Sequence, residues 1–118
     1  MSTPVPIQSV EEEIQARLTA VRPKGVHSRP RGKIERQRFR DGAERLRAKF
    51  RNLRLPDGCS VEILVDGQLL ARIPVMHGHS RVEISTECGQ VVPSVKAGAV
   101  VEVRYHGRPV VRGTFGAH

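Results

Sequence analysis

The sequence predicts an all-β fold, a small antiparallel β-sandwich of about seven or eight strands. Three observations predict it. A pattern occurs twice, forty residues apart: residues 55–72 read LPDGCSVEILVDGQLLAR and residues 95–112 read VKAGAVVEVRYHGRPVVR. Gly58/Gly98, Val61/Val101, Glu62/Glu102, Gly67/Gly107 and Arg72/Arg112 coincide, and the apolar positions around them match in kind. A turn glycine, a β-branched alternation, a second turn glycine and a returning apolar strand describe a β-hairpin. The chain therefore holds two related hairpins, expected to lie one in each layer of the sandwich. Second, valine dominates the latter half, and valine favours strands over helices. Third, tryptophan is absent and the only aromatic residues are Phe39, Phe50, Phe115 and Tyr105, so the core must be aliphatic.

A chain of 118 residues suits one domain. Residues 1–9 are expected to form a loose tail, and residues 10–116 the domain. Residues 10–18 (VEEEIQARL) admit two readings: Ile14, Ala16 and Leu18 alternate as in a strand, while the composition also suits a short helix. Residues 22–32 hold two prolines and two glycines, which break any periodicity and predict a basic loop. Residues 33–40 suit a strand, and Asp41-Gly42 a hairpin turn. Residues 43–53 are the hardest stretch. Good helix formers and the spacing of Ala43, Leu46, Phe50 and Leu53 argue for a helix; the alternation of Leu46, Ala48 and Phe50 with Arg45, Arg47, Lys49 and Arg51 argues for a strand.

The run Asn52-Leu53-Arg54-Leu55-Pro56-Asp57-Gly58, the following VEILVDGQL, the later VVPSVKAGAVVEV and the closing Gly113-Thr114-Phe115 together resemble a recurrent bacterial β-sandwich module. That module is known from proteins without an assigned activity. In it a G-K-x-E strand, here Gly32-Lys33-Ile34-Glu35, precedes the N-L-x-L-P-x-G turn, and the stretch between them is a strand. The likeness covers roughly residues 10–116, and it implies a strand over 43–53. Its motifs are structural turns, so it implies a fold and no chemistry. Cys59, Cys88 and the arginine density before Asn52 depart from the pattern.

The hydrophobic pattern sets the hairpin register. A two-residue Asp66-Gly67 turn would pair Val61 with Arg72, placing an apolar residue beside a charged one. A three-residue connection instead pairs Val65 with Leu69, Ile63 with Ala71 and Val61 with Ile73, and sets Glu62 opposite Arg72. The same shift pairs Val103 with Val111 and Glu102 with Arg112. This register gives an apolar inner face and an outer ion pair in both hairpins, and it makes Glu62 and Glu102 structural.

Charge is concentrated. Residues 22–54 carry thirteen basic residues and three acids, a net of +10 in a chain whose total is +8. Such a segment attracts polyanions. The candidate polyanion-binding residues are Arg29, Arg31, Lys33, Arg36, Arg38, Arg40, Arg45, Arg47, Lys49 and Arg51. On a strand, Arg45, Arg47, Lys49 and Arg51 would form a row with about 6.8 Å between neighbours, able to track a phosphate backbone. Pro30-Arg31-Gly32-Lys33 partly resembles the core of an AT-hook, an arm that enters the minor groove of A·T-rich DNA, with Ile34 where that motif has proline. Aromatic residues are sparse among these cations, only Phe39 and Phe50, which counts against base stacking as a mode of single-strand binding.

Chemistry beyond charge is sparse. His77-Gly78-His79 is the metal suspect, with His106 and Cys88 as further ligands, but no third ligand lies at a diagnostic spacing and turn histidines are the preferred reading. No nucleophile elbow, phosphate loop or dinucleotide glycine pattern occurs, so neither enzymatic activity nor a cofactor is expected. The N-terminus lacks the features of a secretory signal, and no run approaches the roughly 18 apolar residues that span a membrane. A cytoplasmic location follows as the expectation, with Cys59 and Cys88 as free thiols. Two functional classes remain: a non-enzymatic interaction or assembly module docking to a protein partner, or a domain that binds DNA or RNA through its basic 22–54 surface.

Overall fold

The computed structural model describes residues 10–21 and 29–117. The expected tail over residues 1–9 and residues 22–28 of the basic loop lie outside the described residues. The strands are β1 (Val10–Ala20), β2 (Arg31–Phe39), β3 (Glu44–Arg51), β4 (Ser60–Val65), β5 (Gln68–Pro74), β6 (Ser80–Ser85), β7 (Val100–Tyr105), β8 (Arg108–Thr114) and the two-residue β9 (Gly116–Ala117). A single 3-10 turn at Thr86–Cys88 is the only helical element among the described residues. The fold is all-β, as the valine alternation predicts.

All strands pair antiparallel in one continuous sheet of order β5-β4-β7-β8-β1-β2-β3-β6, with β9 added beside β1. The sheet folds over so that both halves bury their inner faces in one core. Ile14, Leu18, Ile34, Leu46 and Phe50 come from one half, and Val61, Ile63, Val101, Val103 and Val111 from the other. The two layers are thus halves of one sheet, and its ends nearly meet: Ser80 Oγ at the start of β6 donates to the Pro74 carbonyl at the end of β5, at 2.6 Å.

Both undecided stretches are strands. In β1, Ile14, Ala16 and Leu18 are buried in alternation, and the pattern rather than the composition prevails. In β3, Leu46, Ala48 and Phe50 are buried while Lys49 and Arg51 are exposed. The helix-forming residues of β3 yield because β2 and β6 pair with it on both sides, so its backbone groups are satisfied by the ladders. Residues 31 and 32, expected in the basic loop, belong to β2. Gly32 is paired between Leu18 and Phe50, with the Phe50 ring filling the space its side chain would take. Arg31-Gly32-Lys33 is therefore a paired strand segment and not a free minor-groove arm.

The two related hairpins, β4–β5 and β7–β8, do not occupy opposite layers. They lie side by side in one, joined by β4 and β7. The pairs are Glu62↔Arg104, Ile63↔Val103, Leu64↔Glu102 and Val65↔Val101. With a forty-residue offset, Ile63 and Val103 are equivalent, so the copies pair about a local pseudo-twofold through that position. The equivalence extends to the flanking turns. Gly58 N donates to Val75 O at 2.8 Å and Gly98 N to Phe115 O at 2.7 Å; Val75 N donates to Cys59 O at 2.8 Å and Phe115 N to Ala99 O at 2.9 Å. A first strand that presents the same apolar alternation in both copies finds in its own duplicate a matched cover for its open edge.

The register is as expected in the body of each hairpin, with Val61↔Ile73, Glu62↔Arg72, Ile63↔Ala71, Glu102↔Arg112 and Val103↔Val111. Near the turns it differs: Val65 pairs with Gln68, and Leu69 faces Leu64. The connection is a two-residue turn after all. Asp66 and Gly67 have φ of 48° and 80°, and His106 and Gly107 have 49° and 76°, the left-handed pair that suits the twist of a tight hairpin. A β-bulge next to each turn supplies the shift, leaving Leu70 and Val110 as the extra residues, both packed against the core.

The layers join where β8 meets β1 through Thr19↔Arg112 and Ala20↔Val111. Gly113 stands at the crossing, and a Cβ there would overlap the Arg17 carbonyl. Gly113→Ala should therefore cost about 2 kcal/mol or more in urea unfolding. Gly116→Ala, where a Cβ meets nothing within 4 Å, should stay within about 0.5 kcal/mol of the parent. Equal effects would show that the crossing is not tight.

Candidate nucleic-acid interface

The two outer faces of the sheet treat charge oppositely. On the β5-β4-β7-β8 face, cross-strand neighbours are complementary: Glu62 opposes both Arg72 and Arg104, and Glu102 opposes Arg112. Arg72 Nη2 lies 3.3 Å from Glu62 Oε2, and Arg104 and Arg112 each place an Nη2 3.1 Å from a Glu102 oxygen. Burial pushes the Glu102 carboxyl up, but hydrogen bonds from Arg104 and Arg112 and their charges outweigh it and hold it below the ordinary range.

On the β1-β2-β3-β6 face the neighbours repel. The register stacks Arg17, Lys33, Lys49 and Arg81 in one row across four strands, through Arg17↔Lys33, Lys33↔Lys49 and Lys49↔Arg81. Arg31↔Arg51 forms a second row beside it. With strands about 4.8 Å apart, the first row is about 14 Å long, and the second lies about 7 Å from it. All six side chains are exposed. Lys33 alone has an acidic partner, Glu35 at 3.2 Å; among the described residues, Arg17, Arg31, Lys49, Arg51 and Arg81 make no ion pair. A depression of about 460 Å³ lies between Arg17, Arg31, Lys33, Lys49 and Arg51. Like charges directly opposite each other destabilise a sheet by tenths of a kcal/mol per pair, and here four such pairs adjoin.

The rest of this face is neutralised. Arg47 sits between Glu35 and Glu83 in register. Burial raises the Glu35 carboxyl, and the hydrogen bond and charge of Lys33 with the charge of Arg47 more than reverse this. Arg45 donates to Gln37 Oε1 from Nε at 3.2 Å and from Nη2 at 2.5 Å, lies 5.2 Å over the Phe39 ring, and Gln37 in turn donates to Glu13 at 2.9 Å.

The ten sequence candidates therefore divide. Arg31, Lys33, Lys49 and Arg51 belong to the cationic band. Arg36 points inward beyond Ile34, with Nη2 2.7 Å from Glu44 Oε2 and Nε donating to the Pro93 carbonyl at 2.9 Å. Arg38 pairs with Glu11 at 3.6 Å and Glu12 at 3.0 Å. Arg29 and Arg40 are exposed outside the strands. The expected row along β3 is replaced by a row across the strands, because Arg45 is hydrogen-bonded to Gln37, Arg47 lies between two acids in register, and Lys49 has cations on both sides. Arg17 and Arg81 lie outside residues 22–54, and only the strand order reveals them.

Beside the band, at the seam between β5 and β6, a groove of about 530 Å³ is lined by Lys49, Arg51 and Arg81 on one side and by Pro74 at the end of β5 with Met76 and His79 from the connection on the other. The His77-Gly78-His79 motif forms this connection. His77 and Gly78 make a tight turn with φ of 53° and 75°, and Met76 and His79 exchange two backbone hydrogen bonds of 2.9 Å. The backbone N–H of His77 donates to Asp57 Oδ1 at 2.8 Å. No group of three His, Cys, Asp or Glu side chains among the described residues is placed to hold a metal ion. Cys59 and Cys88 are free thiols, and no described helix is long and apolar enough to cross a membrane.

No protein-family model matches the chain, and no curated protein matches its sequence.

Because the folded Glu102 carboxylate binds its proton less tightly than the unfolded one, the stability it contributes is complete above the unfolded pKa of roughly 4.3. That contribution is lost as the pH falls through the depressed folded value. Glu102→Gln should lower stability by about 1–2 kcal/mol at neutral pH and should flatten its acid dependence. Urea denaturation at neutral and acid pH checks both, and an unchanged acid slope would show that the ion-pair ladder contributes little.

Proposed function

We propose that this domain is a non-enzymatic nucleic-acid-binding module that engages phosphates through Arg17, Arg31, Lys33, Lys49, Arg51 and Arg81. The observation that carries the reading is the contrast between the two faces. One sheet face of this protein pairs its charges across strands; one end of the other sets cation against cation in adjoining rows at a cost to the fold. A surface selected for stability or solubility alone would intersperse the signs. A partner with closely spaced negative charges relieves the repulsion and gains counterion release.

A second reading, docking to a protein, is favoured by the exposed Leu69, which borders a depression of about 300 Å³ with Val65, Leu70, Pro93 and Val95. Salt separates the two. Six phosphate contacts give a slope of log affinity on log salt of about −4 for a single strand and about −5 for a duplex. Fluorescence-polarisation titrations of labelled oligonucleotides at about 50 and 200 mM salt measure it. Absence of binding at the lower salt would retire the nucleic-acid reading.

Lys49→Glu provides a sharper test, because it places an acid between Lys33 and Arg81. Thermal unfolding should show a gain of about 0.5–1 kcal/mol, while oligonucleotide affinity falls at least tenfold. A variant that loses stability, or binds as before, contradicts the proposed role of the row.

A further inference from the structure

We infer that the groove at the β5–β6 seam seats an unpaired base of a nucleic-acid strand whose phosphates lie on the cationic band, giving the domain a preference for single-stranded over duplex nucleic acid. This rests on the function proposed above and adds a base site to it. Among the cations of residues 29–51 the only Phe, Tyr or Trp residues are Phe39 and Phe50, and both are buried. The fold supplies a ring from elsewhere: His79, distant in sequence from β3, lines the same groove as Lys49 and Arg51.

The chemistry of the groove is divided. One side carries three cations, Lys49, Arg51 and Arg81; the other carries an imidazole, a half-exposed thioether at Met76 and the ring of Pro74. A ligand that satisfies both sides has a flat, weakly polar face and an anionic oxygen within one residue's reach. A nucleotide unit has this form, and histidine is among the side chains on which splayed bases stack. In a duplex both faces of an internal base are covered by its neighbours, so only an unpaired or terminal nucleotide can enter. At about 530 Å³ the groove falls within the common range of small-ligand sites.

The platform is also rigid. The two Met76–His79 backbone hydrogen bonds close the turn, Gly78 O accepts from Leu53 N at 2.9 Å, and Asp57 holds the His77 N–H. Met76 and His79 are thus displayed without a loop to order on binding, which lowers the entropic cost of association. The arrangement gives the tight His77-Gly78 turn a purpose beyond joining two strands.

The test compares a labelled 12-nucleotide single strand with its duplex, for the parent chain and for His79→Ala, His79→Phe and Lys49→Glu. The parent should bind the single strand more tightly than the duplex. His79→Ala should weaken single-strand binding by at least about fivefold, the lower end of losing one stacked base, with duplex binding unchanged. His79→Phe, which keeps a ring and removes any charge, should restore it. Lys49→Glu should weaken both. Equal affinity for the two forms, an equal loss on both in His79→Ala, or failure of His79→Phe to restore binding would overturn the base site while leaving phosphate binding intact. If neither form binds the parent, or Lys49→Glu weakens neither, the phosphate reading falls and the base site with it. Since the His79 side chain is exposed and its backbone bonds survive substitution, loss of fold does not complicate the comparison.

Discussion

The pairing of β4 with β7 is the contact on which the rest of the structure depends. Alone, each hairpin would be a two-stranded ribbon with an apolar face and an open edge, marginal in water. Set edge to edge about the Ile63–Val103 position, the two become a four-stranded layer whose inner face is continuous from Ile73 to Val111. The same pairing brings Glu62 against Arg104 and Leu64 against Glu102, so the outer ion pairs of the separate hairpins merge into one ladder. With that layer complete, Gly113 lets β8 approach β1 closely enough to continue the sheet into the second half.

The second half is built from less symmetrical material. Its strands bury small and large residues in compensation: Gly32 makes room for the Phe50 ring. Its polar networks gather at one end, where Glu13, Gln37 and Arg45 run across three strands. The repulsive rows gather at the other end, nearest the seam. A face with acids at one end and adjoining cations, all but Lys33 without an ion pair among the described residues, at the other has a direction, and the direction points toward the groove between β5 and β6. Phosphate binding on the band and a base in the groove are in that sense parts of one surface.

Much of the fold was legible in the chain. The alternation of Leu46, Ala48 and Phe50 with arginines identified β3 once the resemblance had weighed against its helix formers. The opposition of Glu62 to Arg72 and of Glu102 to Arg112 followed from requiring an apolar inner face. Two expectations failed for a common reason. The hairpins share one layer rather than facing each other, and each turn has two residues with a bulge beside it; neither the partner of an edge nor the presence of a bulge leaves a mark in hydrophobic periodicity. Two of the six proposed phosphate-binding residues were hidden likewise: basic density points to residues 22–54, yet Arg17 and Arg81 complete the row, while Arg36, Arg38 and Arg45 are occupied with carboxylates, a carbonyl and an amide.

Local features are written in the chain: which side of each strand faces the core, where the turn glycines fall, and the register in the body of each hairpin away from its bulge. These follow from side-chain alternation and from backbone preferences that act over a few residues. The tertiary structure alone decided what depends on strand order: that the duplicated hairpins join edge to edge, that four cations from four strands fall in one row, and that His79 comes beside Lys49 and Arg51. Cross-strand neighbours are set by which edges meet. That choice is made by the burial of the whole apolar surface at once, and no short stretch of chain encodes it.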